Sequence, residues 1–288
     1  MPKSSKKSAK NSAKKKSAGS PAAMSASPGD AITMQPVNQL RTGMPSLDSI
    51  VEVKPLATGA AAASALEGVA KYRIIVTNEV DDYEEASTGA GLTASLAAKS
   101  AGGNTFTGTA RRAAKISIAK AKTEVFKDIK ALVKSLTPDN DMRNHVPKIK
   151  TDAKSDRVAE EQRNIRVRAF LYAASREDDN DFHLIIGRDP AASPEMYMTM
   201  ELSGLPPSSS ASFKKLKAAR TAYQDFFQDN LPGTGYEFPD PPIPVEIEGS
   251  LFFDMSHAKG SAPGPRSLKS RMPTIWEVHP ITKIVFEP

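Results

Sequence analysis

Three of the four histidines in this sequence lie after residue 165, and each has an acidic residue two or three positions before it. The pairs are Asp181 with His183, Asp254 with His257, and Glu277 with His279. Imidazole and carboxylate groups together can bind a hard or borderline divalent ion, whose bound water then acts as a nucleophile. The pattern therefore favours structural acid–histidine pairing, with a metal site or acid/base chemistry as the alternative.

Strand parity groups these side chains further. Alternate residues of a strand share a face, so the members of the first pair share one face, as do those of the third. Glu201 joins them because it points away from its apolar neighbours. The candidate polar cluster is Asp181, His183, Glu201, Asp254, His257, Glu277 and His279. Within it, the candidate metal ligands are Asp254, His257 and His279.

Other site chemistries lack the residues they need. The sequence has no cysteine, which excludes disulfides, thiolate nucleophiles and zinc sites that use sulfur. The G-x-S-x-G pattern of serine hydrolases and the glycine-rich phosphate loops of nucleotide-binding proteins do not occur. A divalent metal is therefore the cofactor that the residues favour, and no other cofactor is indicated.

Five strands and one helix must position the candidate cluster. Runs of alternating or β-branched apolar residues predict strands, and an apolar stripe that follows a capping serine predicts a helix. The predicted order is strand 165–173, strand 182–186, strand 197–202, helix 212–227, strand 245–254 and strand 275–286. This is the order of the OB-fold, so the predicted fold class is α+β, mostly β, with an OB-like five-stranded barrel (β-β-β-α-β-β). A mixed α+β sandwich is the alternative.

Three motifs in this region carry a family resemblance. They are Asp181-Phe182-His183-Leu184, then Gly249-Ser250-Leu251-Phe252-Phe253-Asp254 followed by His257, and finally Trp276-Glu277-Val278-His279-Pro280-Ile281. In these motifs the chain resembles a family of uncharacterised microbial proteins, many of them secreted, that share D-x-H, G-x-x-F-F-D-x-x-H and W-E-x-H-P patterns. The resemblance covers residues 165–288 and implies no assigned activity. The chain differs from that family in its lysine-rich start and in its additional segment 49–164.

The region before the barrel divides by composition. Residues 1–48 are rich in Lys, Ser and Ala and have few large apolar side chains, which predicts a disordered basic tail. Residues 49–164 are predicted to be an α/β accessory segment, with a strand at 71–77 and an amphipathic helix at 123–136. The third predicted domain is the OB-like one, residues 165–288.

The formal net charge of +6 comes from the tail. The first 30 residues hold seven lysines and one acid, so the rest of the chain has equal numbers of basic and acidic residues. A lysine cluster of this kind binds nucleic acid or another polyanion by counterion release, serves as a nuclear-import signal in a eukaryote, or only aids solubility. The candidate residues for nucleic-acid or phosphate binding are Lys14, Lys15 and Lys16.

Two predicted loops carry opposite charges where OB-folds bind ligands, between the loop joining strands one and two and the loop joining strands four and five. The first loop is acidic and the second basic. Their charged residues are Glu177, Asp178, Asp179 and Asp181 in the first and Lys259, Arg266, Lys269 and Arg271 in the second. The four basic residues are further candidates for phosphate binding. Phe170, Tyr172 and Tyr197 are candidates for stacking on bases, although a role in the core is favoured for them.

Two functions follow from these observations. The favoured interpretation is a non-enzymatic OB-like interaction module whose basic tail binds nucleic acid or another polyanion, with a protein partner also open. The alternative is a metal-dependent hydrolase of the phosphodiesterase type that uses the candidate polar cluster. No apolar run approaches the roughly 18 residues that span a bilayer, and no signal-peptide core is present. The expectation is therefore a soluble intracellular protein without a membrane partner, cytoplasmic or, in a eukaryote, nuclear.

Overall fold

The structure, a computed structural model, describes residues 43–56, 70–81, 103–228, 230–260 and 262–288. Nine strands lie in these ranges: β1 Ile50–Leu56, β2 Tyr72–Thr77, β3 Thr123–Phe126, β4 Asn164–Arg176, β5 Phe182–Gly187, β6 Tyr197–Leu202, β7 Glu237–Asp240, β8 Ile243–Phe253 and β9 Trp276–Phe286. Five α-helices lie in the same ranges: α1 Arg112–Lys115, α2 Ile129–Lys134, α3 Asp139–Arg143, α4 Phe213–Phe227 and α5 Arg266–Lys269. Short 3-10 turns occur at Leu47–Ser49, Ala159–Glu161 and Met255–His257.

Five of these strands close a barrel. Strands β4, β5, β6, β9 and β8 pair in this order, and β8 pairs again with β4. Neighbouring barrel strands are antiparallel, except that β6 and β9 are parallel. Helix α4 lies in the connection between β6 and β8. The predicted OB-like barrel, with its helix between the third and fourth barrel strands, is confirmed.

The apolar faces of the strands fill the barrel. Along β4, Leu171 is buried whereas Arg168 is exposed, as expected when alternate residues face inward and outward. Leu171 pairs in register with Ile186 of β5, and Met200 of β6 pairs in register with Val278 of β9. These residues therefore lie on the same inner face of the barrel. The polar residues that alternate with them must therefore face outward.

Helix α4 packs against the barrel through aromatic side chains. The ring of Tyr223 lies 5.3 Å from that of Phe182, and the ring of Phe226 stacks on Phe286 at 4.2 Å. Such contacts contribute beyond the apolar area they bury. They anchor the helix to β5 and β9.

The residues before β4 extend the same sheet. Strand β1 pairs with β2, β2 pairs with β7, and β7 pairs with β4. Strand β3 pairs with the start of β4 in parallel. The strands of the predicted accessory segment 49–164 are therefore continuous with the barrel sheet.

The helix predicted over 123–136 is wrong in its first half. Residues Thr123–Phe126 form β3, and Val125, expected on the apolar stripe, is 71% exposed. The backbone of Asp128 is extended, and its side chain accepts a hydrogen bond from the backbone N of Ala131 at 2.8 Å. This cap begins α2 at the next residue. Apolar spacing alone could not separate a short strand from the capped helix that follows it.

The ordered part begins earlier than the predicted tail boundary at residue 48. Met44 is buried in the core, and the turn Leu47–Ser49 leads directly into β1. The prediction of disorder for residues 1–42, with their candidate lysines, lies outside the described residues. Of the helices that the structure describes, none has the length and apolar character needed to cross a membrane.

Candidate metal centre on the outer face of the barrel

A row of polar side chains lies on the outward faces of β5, β6 and β9. His183 of β5 pairs in register with Glu201 of β6, and Thr199 of β6 pairs with Glu277 of β9. His279 follows two residues after Glu277 and therefore shares its face. All five side chains are at most 2% exposed although they point away from the barrel interior. Other parts of the chain must cover them.

The cover consists of residues 103–118 and the connection between β8 and β9. The guanidinium of Arg111 lies 4.7 Å from the ring centroid of Phe252, and the backbone N of Thr107 donates to the carbonyl of Asp179 at 3.1 Å. OB-folds bind ligands across this face. In this protein the chain encloses the face that would otherwise be open.

Asp181, Glu201 and His279 form the first of two acid–histidine groups, which we name the inner triad. Nδ1 of His279 lies 2.5 Å from Oε2 of Glu201, and its Nε2 lies 3.3 Å from Oδ2 of Asp181. Oε2 of Glu277 lies 3.8 Å from the same Nδ1. Two ligand atoms that are each about 2.1 Å from one ion are separated by about 3 to 3.5 Å. One ion can bind only one of the two ring nitrogens of His279, so compatibility with a shared cation rests on one ligand atom from each member of the inner triad lying within 4.8 Å of the other two.

Hydrogen bonds do not satisfy the inner triad. Among the described residues, Oδ2 of Asp181, Oε2 of Glu201, both ring nitrogens of His279 and both carboxyl oxygens of Glu277 have no hydrogen-bond partner. The short contacts of His279 lack hydrogen-bond angles. About 90% or more of buried polar groups in proteins are hydrogen-bonded. So many exceptions in one place indicate a functional site.

The second group, the outer triad, comprises Asp81, Glu177 and His183. Nδ1 of His183 contacts Oε1 of Glu177 at 2.8 Å, and the carboxylate of Asp81 accepts from the hydroxyl of Tyr236 at 2.9 and 2.8 Å. Nε2 of His183 has no partner in the described part of the chain. Oε1 of Glu201 lies 3.6 Å from Nδ1 of His183, so Glu201 lies between the two triads.

An acidic cavity of about 220 Å³ adjoins the outer triad. Its charged lining consists mainly of Asp81, Glu177, Asp179, Asp254, His257 and Lys115. Nε2 of His257 lies 3.7 Å from Oδ2 of Asp254, and the ammonium of Lys115 lies 3.7 Å from Oδ2 of Asp179. The cover thus contributes a lysine to a cavity that the two barrel loops make acidic.

The outer triad contains an ionised pair. Burial lowers the pKa of His183, but the hydrogen bond to Glu177 and the carboxylates of Asp81 and Glu201 outweigh burial and raise that pKa to about 9. Burial also raises the pKa of Glu177, and its bond to His183 reverses this effect and lowers the pKa to about 2. At neutral pH the pair is therefore imidazolium and carboxylate.

The inner triad has the opposite electrostatics. Burial, reinforced by neighbouring carboxyl groups, raises the pKa of Asp181 and Glu277 well above the ordinary range and that of Glu201 to about 7. Burial and the nearby Lys115 lower the pKa of His279 well below its usual range. His279 is therefore a neutral imidazole at pH 7, which is the form that ligates metals.

The structure brings five members of the predicted polar cluster together and separates two. The five on the covered face are Asp181, His183, Glu201, Glu277 and His279. Asp254 and His257 line the cavity beside them. The predicted metal set of Asp254, His257 and His279 is not among the metal-compatible groups of the described residues. That set stays a prediction, and sequence distance could not reveal that β6, which carries Glu201, lies beside β9.

Asp81 and Lys115 were missed by sequence reasoning. Both lie far along the chain from the barrel strands, and no motif marks either of them. Glu177 was recognised only as part of the acidic loop. That loop and the pairs Asp181–His183 and Asp254–His257 were the sequence signals for the outer triad and the cavity.

The basic residues predicted to face the acidic loop do not line this cavity. Arg271 forms an ion pair with Glu195, and the backbone N of Arg266 donates to Glu79 at 3.2 Å. Lys259 and Lys269 do not line the cavity either. The start of the β8–β9 connection, with Asp254 and His257, lines the cavity with the acidic loop, and phosphate binding by the four basic residues stays a prediction.

No protein-family model, no curated protein and no solved structure matches this chain. The resemblance to a microbial family therefore remains a prediction from its three motifs. The inference of function rests on the geometry of the site.

Proposed function

We propose that this protein binds a divalent metal ion on the covered face of its barrel, through Asp181, Glu201, Glu277 and His279. The observation that carries the proposal is the group of buried oxygen and nitrogen atoms without hydrogen-bond partners among the described residues. All of these atoms are of types that ligate metals. A set of carboxylates with one imidazole suits Mn²⁺, Fe²⁺ or Zn²⁺ better than Ca²⁺, which prefers oxygen alone.

The alternative is structural acid–histidine pairing. Such pairs stabilise a fold when each buried polar atom gains a hydrogen bond, as His183 and Glu177 do at 2.8 Å. In the inner triad Oδ1 of Asp181 accepts from the backbone N of Gly204 at 2.6 Å, but Oδ2 of Asp181, Oε2 of Glu201 and both ring nitrogens of His279 have no such bond among the described residues. Buried polar groups without partners cost about 1–3 kcal/mol each. The unpartnered atoms of Asp181, Glu201, Glu277 and His279 therefore cost stability that binding of a cation would recover.

Calorimetric titration of the full-length protein, stripped with EDTA, with Mn²⁺ tests this proposal. His279→Ala should weaken binding by about 10–100-fold or more, the range seen even for residues that only orient metal ligands. His145→Ala is the matched control, because His145 contacts Glu160 at 3.1 Å and is not a member of either triad. Glu277→Gln, which keeps the side-chain shape, covers the case in which His279→Ala does not fold. Absence of Mn²⁺ binding, or equal loss in the control, would overturn the proposal.

A metal-dependent hydrolase of the phosphodiesterase type is the second candidate, and the adjoining cavity favours it. The cavity can admit a small substrate group, and Lys115 and His257 lie where they could contact an anionic oxygen or transfer a proton. A bound ion would polarise the substrate and lower the pKa of a water. Hydrolysis of bis(p-nitrophenyl) phosphate with Mn²⁺ should be lost in His257→Ala while Mn²⁺ affinity is kept. Absence of turnover by the Mn²⁺-loaded protein would overturn the hydrolase and leave metal binding as the proposed function.

Polyanion binding is proposed for the basic tail, not for the barrel face. That face is acidic, and the rings of Tyr172 and Tyr197 are buried against each other at 4.8 Å, which leaves neither ring open to stack on a base. Removal of residues 1–42 should abolish salt-dependent DNA binding. DNA binding that survives this truncation would assign it to the barrel.

A further inference from the structure

We infer that the centre holds two divalent ions, with the carboxylate of Glu201 as the bridge between them. The inference rests on the proposed metal-binding function and specifies its centre. Glu201 directs its two oxygens toward different histidines: Oε2 lies 2.5 Å from Nδ1 of His279, and Oε1 lies 3.6 Å from Nδ1 of His183. In two-ion centres the ions are about 3.5–4 Å apart, a distance that one carboxylate can bridge.

The outer triad supplies the ligands for the second ion. One atom from each of Asp81, Glu177 and His183 lies within 4.8 Å of the others. His183 is completely buried, and its Nδ1, the ring nitrogen that lies near both Glu177 and Glu201, is the atom that an ion bridged by Glu201 would use in place of the contact with Glu177. Asp81 and Glu177 also line the cavity of about 220 Å³. An ion held by this triad would therefore be accessible from the cavity, whereas the inner ion would be enclosed.

Charge complementarity favours two ions. The two triads and Glu277 together contain the five carboxyl groups of Asp81, Glu177, Asp181, Glu201 and Glu277. One divalent ion neutralises two of these groups, and a second ion neutralises two more. Lys115 lies beside them and is already paired with Asp179 at 3.7 Å. In the metal-free protein burial keeps the pKa of Asp181 and Glu277 well above the ordinary range and the imidazolium of His183 offsets Glu177, so the two ions would replace bound protons as the counter-charge of these groups.

The two sites should differ in affinity. The inner ligands have few competing hydrogen bonds, whereas His183 and Glu177 already bond each other at 2.8 Å. Asp81 likewise accepts from Tyr236 and from the backbone N of Gly264 at 2.6 Å. The outer ion must replace some of these bonds. The inner ion should therefore bind first and the outer ion more weakly.

Equilibrium dialysis of the full chain against Mn²⁺, with metal analysis, measures the number of ions per chain. We expect two in the wild type, one in His183→Ala, and two in the histidine control His145→Ala. Glu177→Gln, a milder change at the cavity, should weaken only the second binding step. Spin coupling between the two Mn²⁺ ions should appear in the electron paramagnetic resonance spectrum of the wild type and disappear in His183→Ala.

Each outcome separates this inference from the proposed function. One Mn²⁺ per chain in the wild type overturns the two-ion centre and leaves the proposed function standing. If the wild-type protein binds no Mn²⁺, both the two-ion centre and the proposed metal-binding function are overturned. Two ions in the wild type, in His183→Ala and in Glu177→Gln would show that the second ion does not use the outer triad, which overturns the inference.

Discussion

Lys115 should stabilise the metal-free protein and matter much less once a cation is bound. The side chain is buried with 7% of its surface exposed, and its ammonium lies 3.7 Å from Oδ2 of Asp179. Burial opposes its charge, but the carboxylates of Glu201 and Asp254 keep its pKa well above the ordinary value. Lys115 is therefore the cation that the cover places among the acids of this face.

The cost of removing it follows from Coulomb energies. Two unit charges about 4 Å apart attract by about 4 kcal/mol at an effective dielectric constant of about 20, and loss of one member of a buried pair costs about 3–5 kcal/mol. Relief from burying the ammonium of Lys115 offsets part of this loss, so Lys115→Met should lower the free energy of unfolding by about 3 kcal/mol. The melting temperature should then fall by about 6–12 °C, at about 2–4 °C per kcal/mol for a domain of 150–250 residues.

Thermal unfolding in EDTA and in saturating Mn²⁺ checks this prediction. A bound divalent ion restores positive charge to the acidic face, so the loss caused by Lys115→Met should shrink strongly in Mn²⁺. Lys120→Met is the control, because Lys120 is exposed and lies just after the cover segment 103–118. An equal loss with and without Mn²⁺ would refute the electrostatic reasoning, as would a stable variant in EDTA.

Three further predictions concern the fold. Leu251→Ala removes a completely buried side chain and should lower the free energy of unfolding in urea by about 2–5 kcal/mol. Leu47→Ala, at a site that is 53% exposed, should lower it far less. Similar losses of stability in the two variants would contradict the placement of Leu251 in the barrel core. Gly187→Ala would place a Cβ 2.5 Å from the ring of Tyr197 and should cost about 1–3 kcal/mol, and a neutral effect would refute this packing. Burial raises the pKa of Glu237 to about 6, so its stabilising contribution is complete below its ordinary pKa near 4.5 and is lost, by about 2 kcal/mol, as pH rises through about 6. Glu237→Gln should abolish that loss between pH 4.5 and 7.5, and an unchanged pH dependence would exclude this carboxyl group as its source.

Local pattern predicted most of the barrel because each element reveals itself within a few residues. The alternation in β6 and the apolar stripe of α4 are contained in segments of 6 and 15 residues, and both elements occur where predicted. The pattern failed where two elements shared one apolar spacing, as in Thr123–Lys134, which contains β3 and α2. There only the capping role of Asp128 separates the strand from the helix.

The sequence by itself determined the order of the barrel strands and the faces that each acid–histidine pair shares, because side-chain alternation is a local property of the backbone. Only the tertiary structure decided that β6 lies beside β9, which brings Glu201 to His279. It also decided the position of Asp81, which accepts a hydrogen bond from the backbone N of Gly264, 183 residues away in the chain. It also decided that an outward polar face would be enclosed. Contacts across such distances depend on barrel closure and on how distant segments pack, and no local propensity encodes them.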